Sequence, residues 1–109
     1  MYWYQFNAPN KRRPVLILTR NSALSFLTNV TVAPLTTTIR GIPTEVVLSV
    51  EDGLREVCAV NLDNIQTVSK SSLGAFIAHL SSSRMREVRA AIAFALGFDT
   101  VLLDRDDSG

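Results

Sequence analysis

Alternating and clustered apolar positions divide the chain into short strands with one helix at the end. Met1–Phe6 is aromatic-rich and predicts a first strand. Pro14–Arg20 (Pro-Val-Leu-Ile-Leu-Thr-Arg) is too short and too β-branched for a stable helix and predicts a buried strand. Pro14 is expected to open it, because proline has no N–H to donate to a ladder. Asn21 and Ser22 can cap about one helical turn over Ala23–Leu27. Val30–Ile39 predicts a strand with a break or bulge at Pro34. Gly41–Pro43 is a turn, Thr44–Val50 a strand, Asp52-Gly53 a hairpin signal and Val57–Leu62 the returning strand. Asp63-Asn64 turns the chain into a short strand at Ile65–Val68, and Ala75–Leu80 reads either as a strand or as a helical piece. A helix is predicted over about Ser82–Leu96, capped by Ser81 or Ser82 and stopped by Gly97. Its stripe is Met85, Val88, Ile92 and Ala95, with Arg84, Arg86 and Arg89 off it.

These elements define a mainly β protein with one long C-terminal helix, and tight turns between short strands suggest a small, twisted, partly closed barrel. A single domain over residues 1–103 is expected, followed by a polar tail, Asp104–Gly109, expected to be frayed and disordered. Ala90–Phe98 is apolar nearly all round, so a second subunit is one way to cover it.

Composition narrows the picture. At 109 residues and 47% apolar, the chain can bury one core. No apolar run reaches a membrane span, and no basic-then-apolar leader opens the chain. The single cysteine, Cys58, excludes an internal disulfide framework and fits a buried thiol in a cytoplasmic protein. The single histidine, His79, has no partner at metal-ligand spacing, so no metal site, cofactor or Ser-His-Asp arrangement is expected. Five glycines scattered singly make no phosphate loop.

Charge is uneven. Residues 1–40 carry Lys11, Arg12, Arg13, Arg20 and Arg40 and no acid, whereas residues 41–109 carry six basic and ten acidic side chains. Either folding interleaves the halves and the asymmetry vanishes, or a basic face meets a polyanion. The same two readings apply to Arg12-Arg13-Pro14. The arginines are either solvated flanks of a strand, or a guanidinium fixed at a strand mouth that grips phosphate bidentately. Aromatics beside that basic loop can stack bases, or can serve as core or dimer contacts. The chemistry left to an enzyme is arginine, threonine and a few carboxylates. RNA carries its own nucleophile, the 2′-hydroxyl, so arginine and a hydroxyl can do much of the work of its cleavage without a metal.

Three segments carry a resemblance. Arg13-Pro14-Val15-Leu16-Ile17-Leu18, Val32-Ala33-Pro34-Leu35-Thr36 and Asn61-Leu62-Asp63-Asn64-Ile65-Gln66-Thr67-Val68 are similar to the MazF/PemK family of toxin endoribonucleases, and the likeness runs from about Tyr2 to Phe98. It implies an SH3-like or CcdB-like barrel and a homodimer. It also implies metal-independent cleavage of single-stranded RNA to 2′,3′-cyclic phosphate and 5′-OH ends, and a cognate antitoxin peptide that occupies the RNA groove. The family's arginine matches Arg13, expected to clamp the transition-state phosphate, and its threonine matches Thr36, expected to donate to or orient an oxygen. Asp63 is the third catalytic candidate; Asn61 and Gln66 stand where some members have arginine. The RNA path is expected to involve Lys11, Arg12, Arg20, Thr37, Arg40, Asn61 and Gln66. The alternative on the same fold is a non-enzymatic inhibitor that binds a protein such as DNA gyrase, as CcdB does. Intact RNA after incubation in chelator would favour that alternative.

Overall fold

The computed structural model describes residues 1–6 and 12–98; Lys11 and the expected tail lie outside them. The strands are β1 (Tyr2–Gln5), β2 (Arg12–Ile17), β3 (Asn29–Thr36), β4 (Glu45–Leu48), β5 (Cys58–Asn61), β6 (Gln66–Ser69) and β7 (Leu73–Phe76), followed by helix α1 (Ser82–Ala95). Every pairing is antiparallel, in the order β4-β5-β3-β2-β1-β7, with β6 also paired to β3.

Strand β3 organises the sheet. One edge pairs with β2 over Val32–Pro34; the other pairs with β6 over Asn29–Val32 and then with β5 at Leu35 and Thr36. The break expected at Pro34 is therefore a change of partner, and β3 runs through it. Leu18 N–H donates to the Thr31 carbonyl at 2.8 Å, which fixes the alternation of the β2–β3 ladder. On that alternation the Pro34 nitrogen faces the other edge, at the gap where β6 has ended and β5 has not begun. Pro14 is accommodated in a related way. Its nitrogen faces β3, and the β2–β3 ladder begins one residue later, at Val15. Pairing with β1 extends β2 back to Arg12, two residues before the proline expected to open it.

The sheet path is open, so the expected barrel is not closed by hydrogen bonds. Its curvature is nonetheless set by the chain. Strands β6 and β7 end the leaf β6-β3-β2-β1-β7, yet only Lys70–Ser72 separates them. Four backbone steps span at most about 14 Å, so the leaf must curl. The ambiguous Ala75–Leu80 segment is resolved by this geometry, since its start belongs to β7.

Apolar side chains fill both faces. The larger cluster joins Leu16, Ala33, Leu35, Val46, Leu48, Val60 and Leu62 to Val88 and Ala91 of α1. The smaller holds Val15, Val30, Val32 and Val68. Ser81 caps α1 by accepting the Arg84 N–H at 3.2 Å, and Gly97 takes φ 77° just beyond its end. The buried line on α1 is Val88 with Ala91, while Met85, Ile92 and Ala95 are partly covered. Phe94, Leu96 and Phe98 remain exposed on the single chain.

Candidate active site

Where β2 begins and β3 ends, the sheet leaves a cleft of about 400 Å³. Strand β2 carries Arg12, Arg13 and Pro14 to its wall, and the end of β3 carries Leu35, Thr36 and the following Thr37. Trp3, Phe76 and Ile77 come from the β1/β7 side, Gly53–Glu56 from the connection between β4 and β5, and Cys58 from the start of β5. Arg13 and Thr36, 23 positions apart in sequence, thus share one cleft because β2 and β3 are neighbours.

The two residues differ in how they are held. Arg13 is half-buried and its side chain makes no hydrogen bond or ion pair among the described residues, so its guanidinium is available to a ligand. Thr36 Oγ1 accepts the Thr38 N–H at 3.1 Å, which orients the hydroxyl and leaves its own hydrogen to donate. Arg12 lies over Trp3, its guanidinium carbon 4.3 Å from the ring centre, a cation–π contact that steadies it at the cleft edge. Phe76 is about half exposed and packs edge-on against Tyr2, so one aromatic surface in the cleft is open to stacking.

The β4–β5 connection, which the sequence marks only as a hairpin turn, supplies Arg55 and Glu56. Its shape is fixed on two sides. Asp52 accepts the Ser49 N–H at 3.0 Å and two guanidinium hydrogen bonds from Arg84 of α1, at 3.1 and 3.3 Å. Burial alone would raise the Asp52 pKa; the Ser49 N–H and the Arg84 guanidinium outweigh it and hold the carboxyl below its ordinary value. Gly53 has φ 96°, and a Cβ there would sit 2.6 Å from that of Ala78. Leu54 is then buried, and Arg55 and Glu56 project at the cleft. The sequence signal was present, as two opposite charges between a Gly turn and a strand, but a hairpin reading absorbs it.

Cys58 lies beneath this turn, and its thiol donates to the Glu56 carbonyl at 3.5 Å. Burial and the Glu56 charge push its pKa up, so it stays protonated and is no nucleophile at neutral pH.

Other expected site residues lie elsewhere. Asp63 does not line the cleft. It accepts a hydrogen bond from the Thr44 hydroxyl at 2.6 Å and pairs with Arg40 at 3.6 Å. Arg40 is committed to Glu45, whose nearly sealed carboxylate also takes the Arg40 and Gly41 N–H groups at 2.9 and 3.1 Å. Burial would raise the Glu45 pKa, but these bonds and the Arg40 charge bring it below the ordinary value. This network staples the turn before β4 to the turn after β5. Asn61 caps that second turn, accepting the Asp63 N–H at 3.0 Å. Gln66 faces its own turn, donating to the Asn64 carbonyl at 3.5 Å, and Arg20 precedes a short 3-10 turn at Asn21–Ala23. None of Arg20, Arg40, Asn61, Asp63 and Gln66 meets the cleft. His79 is exposed against Phe76. Among the described residues no three His, Cys, Asp or Glu side chains cluster as metal ligands, and no helix is long and apolar enough to cross a membrane.

The fold with this cleft is that of a small bacterial toxin. It superposes on a Mycobacterium tuberculosis toxin, MazF-mt6, with TM-score 0.81 and 43% identity, over 88% of this chain and 94% of the other. A mycobacterial endoribonuclease solved with its cognate antitoxin gives TM-score 0.76 at 33% identity, over 88% of this chain and 91% of the other. In sequence, the chain is 45% identical over 93 residues to Endoribonuclease MazF3 of Mycobacterium tuberculosis, covering 85% of this chain and 90% of that protein. Residues 1–96 match the family of PemK-like, MazF-like toxins of type II toxin-antitoxin systems, and the chain belongs to that family.

Proposed function

We propose that this toxin is an endoribonuclease that cleaves single-stranded RNA by attack of the 2′-hydroxyl on the adjacent phosphorus. The O2′–P bond forms as the P–O5′ bond breaks, leaving a 2′,3′-cyclic phosphate and a 5′-OH. The 2′-hydroxyl loses a proton to solvent and the 5′-oxygen gains one. The observation that carries the reading is a guanidinium, Arg13, unpaired among the described residues, in one cleft with an oriented hydroxyl, Thr36. Arg13 neutralises charge that grows on the non-bridging oxygens, and Thr36 donates to one of them or orients the leaving oxygen. Arg is a poor proton donor, so its part is electrostatic. Arg12 and Thr37 hold flanking phosphates, and Phe76 stacks a base, as single-strand binders do. No step runs through a metal, and activity is expected to survive a chelator.

The same groups suit an antitoxin. A peptide with acidic side chains for Arg12, Arg13 and Arg55 and apolar ones for Trp3, Phe76 and Ile77 would fill the cleft and exclude RNA. A second copy of the chain is the expected cover for exposed Phe94, Leu96 and Phe98. The test is a mixed RNA pool incubated with the protein in chelator, with 5′-OH ends mapped. Fragments with such ends support the reading, and intact RNA overturns it.

A further inference from the structure

We infer that Glu56 reads a base, accepting hydrogen bonds from one that carries an exocyclic amino group and disfavouring uracil. The inference rests on the RNA reading above and goes beyond it by assigning selectivity to a named carboxylate.

Glu56 is the one carboxylate among the described residues that line the cleft, which also holds Arg12, Arg13 and Arg55. Among the described residues it nevertheless makes no ion pair and its side chain no hydrogen bond. A carboxylate in a phosphate-binding cleft opposes the ligand's charge, so its presence calls for a different contact. Were Glu56 to act at the reacting phosphate, it would stand beside the guanidinium that clamps that phosphate. It makes no ion pair with any arginine there instead.

The remaining groups of a single strand are its bases, and a carboxylate offers them acceptors alone. Cytosine N4, adenine N6 and the guanine N1/N2 edge supply N–H donors to match. Uracil presents carbonyl oxygens on either side of a single N–H, and these repel a carboxylate. An unstacked base exposes this edge, and Phe76 in the same cleft offers it a ring to lie on.

Such a reader needs a preset backbone, and the turn that carries Glu56 is anchored on both sides. Four residues earlier Asp52 is locked by Arg84 and Ser49, Gly53 is pressed against Ala78, and Leu54 is buried. Two residues later Cys58 enters β5. The backbone of the turn is therefore held at both ends before a ligand arrives, which lowers the ordering cost of binding.

The test uses 2′-O-methyl oligoribonucleotides of cytosine, adenine and uracil, which cannot be cut, with affinities measured at one salt concentration. The native protein is expected to bind the cytosine or adenine oligomer about tenfold more tightly than the uracil one, as one good base contact gives. In Glu56→Gln the amide both accepts and donates, and the ratio should fall to within about threefold. A ratio unchanged by Glu56→Gln overturns the inference. So does equal tightening of all three oligomers, which would make Glu56 a simple repulsive charge. Loss of cutting at every sequence with unchanged binding ratios would make it a proton acceptor and overturn it likewise. Binding selectivity that tracks Glu56 in a protein that cuts no RNA would leave the inference standing and remove the cleavage reading.

Discussion

Arg84, in the first turn of α1, grips Asp52 with two nitrogens at 3.1 and 3.3 Å while it also holds Glu87, three residues on, at 3.0 Å. The helix is thereby tied to the turn that brings Arg55 and Glu56 to the cleft. The Asp52 side chain is only 10% exposed, so removing its partner strands a largely buried carboxylate. Arg84→Ala is expected to cost about 2 kcal/mol, less than a fully buried pair because the Arg84 side chain is 29% exposed. Urea unfolding checks this: the midpoint should fall, and Asp52→Asn in the Arg84→Ala background should recover part of the loss.

Arg13→Ala removes a half-buried cation whose guanidinium pairs with no group among the described residues. The fold should survive, with its thermal midpoint lowered little. Cleavage should fall by about 10²–10³-fold, the range for losing one positioned donor at developing charge. Arg13→Lys should also fall short, because an ammonium cannot match two phosphate oxygens in a fixed fork. Initial rates on one short RNA, with circular dichroism on each variant, separate the outcomes.

Much of this arrangement is legible in the sequence, for identifiable reasons. Strand and helix limits follow from local patterns, so Ser81 as cap and Gly97 as stop are visible one residue at a time. Pro34 shows where its logic stops. Proline announces an irregular ladder, but only the placement of β5 and β6 along one edge of β3 reveals a partner change. Arg13 and Thr36 can be proposed from motif and chemistry, and strand adjacency unites them. Arg40 is expected on the RNA path by its charge, and Asp63 is a catalytic candidate from the family resemblance. They are consumed by Glu45 and Thr44, contacts set by how two turns meet. Arg55 and Glu56 are missed for the converse reason, since Arg84 of the helix, 32 positions beyond Asp52, fixes the turn that presents them.

Acid should expose the buried carboxylates. Glu45, with its side chain 1% exposed, and Asp52 both have pKa values below their ordinary ones in the folded chain. A depressed folded pKa adds stability that is fully present above the unfolded value, about 4 for these groups. That stability is lost as pH falls through the folded values. The thermal midpoint should be insensitive to these two groups above about pH 5 and should decline below about pH 4. Glu45→Gln should lower stability at neutral pH and flatten the acid limb. A decline of equal steepness in that variant would assign the acid sensitivity elsewhere.

Gly53 and Gly41 offer a controlled comparison. Both have positive φ, 96° and 69°, so alanine is strained at either. At Gly41 a Cβ meets nothing within 4 Å, whereas at Gly53 it lies 2.6 Å from the Cβ of Ala78. Gly41→Ala should therefore cost the backbone term alone, about 1 kcal/mol. Gly53→Ala adds overpacking of about 1–3 kcal/mol, or else the turn shifts to relieve the contact. A shift carries Leu54, Arg55 and Glu56 with it, so Gly53→Ala should lower RNA affinity as well as stability, while Gly41→Ala lowers stability alone. Parallel denaturation and oligonucleotide-binding curves decide it, and equal affinity in the two variants would detach the turn from the cleft's function.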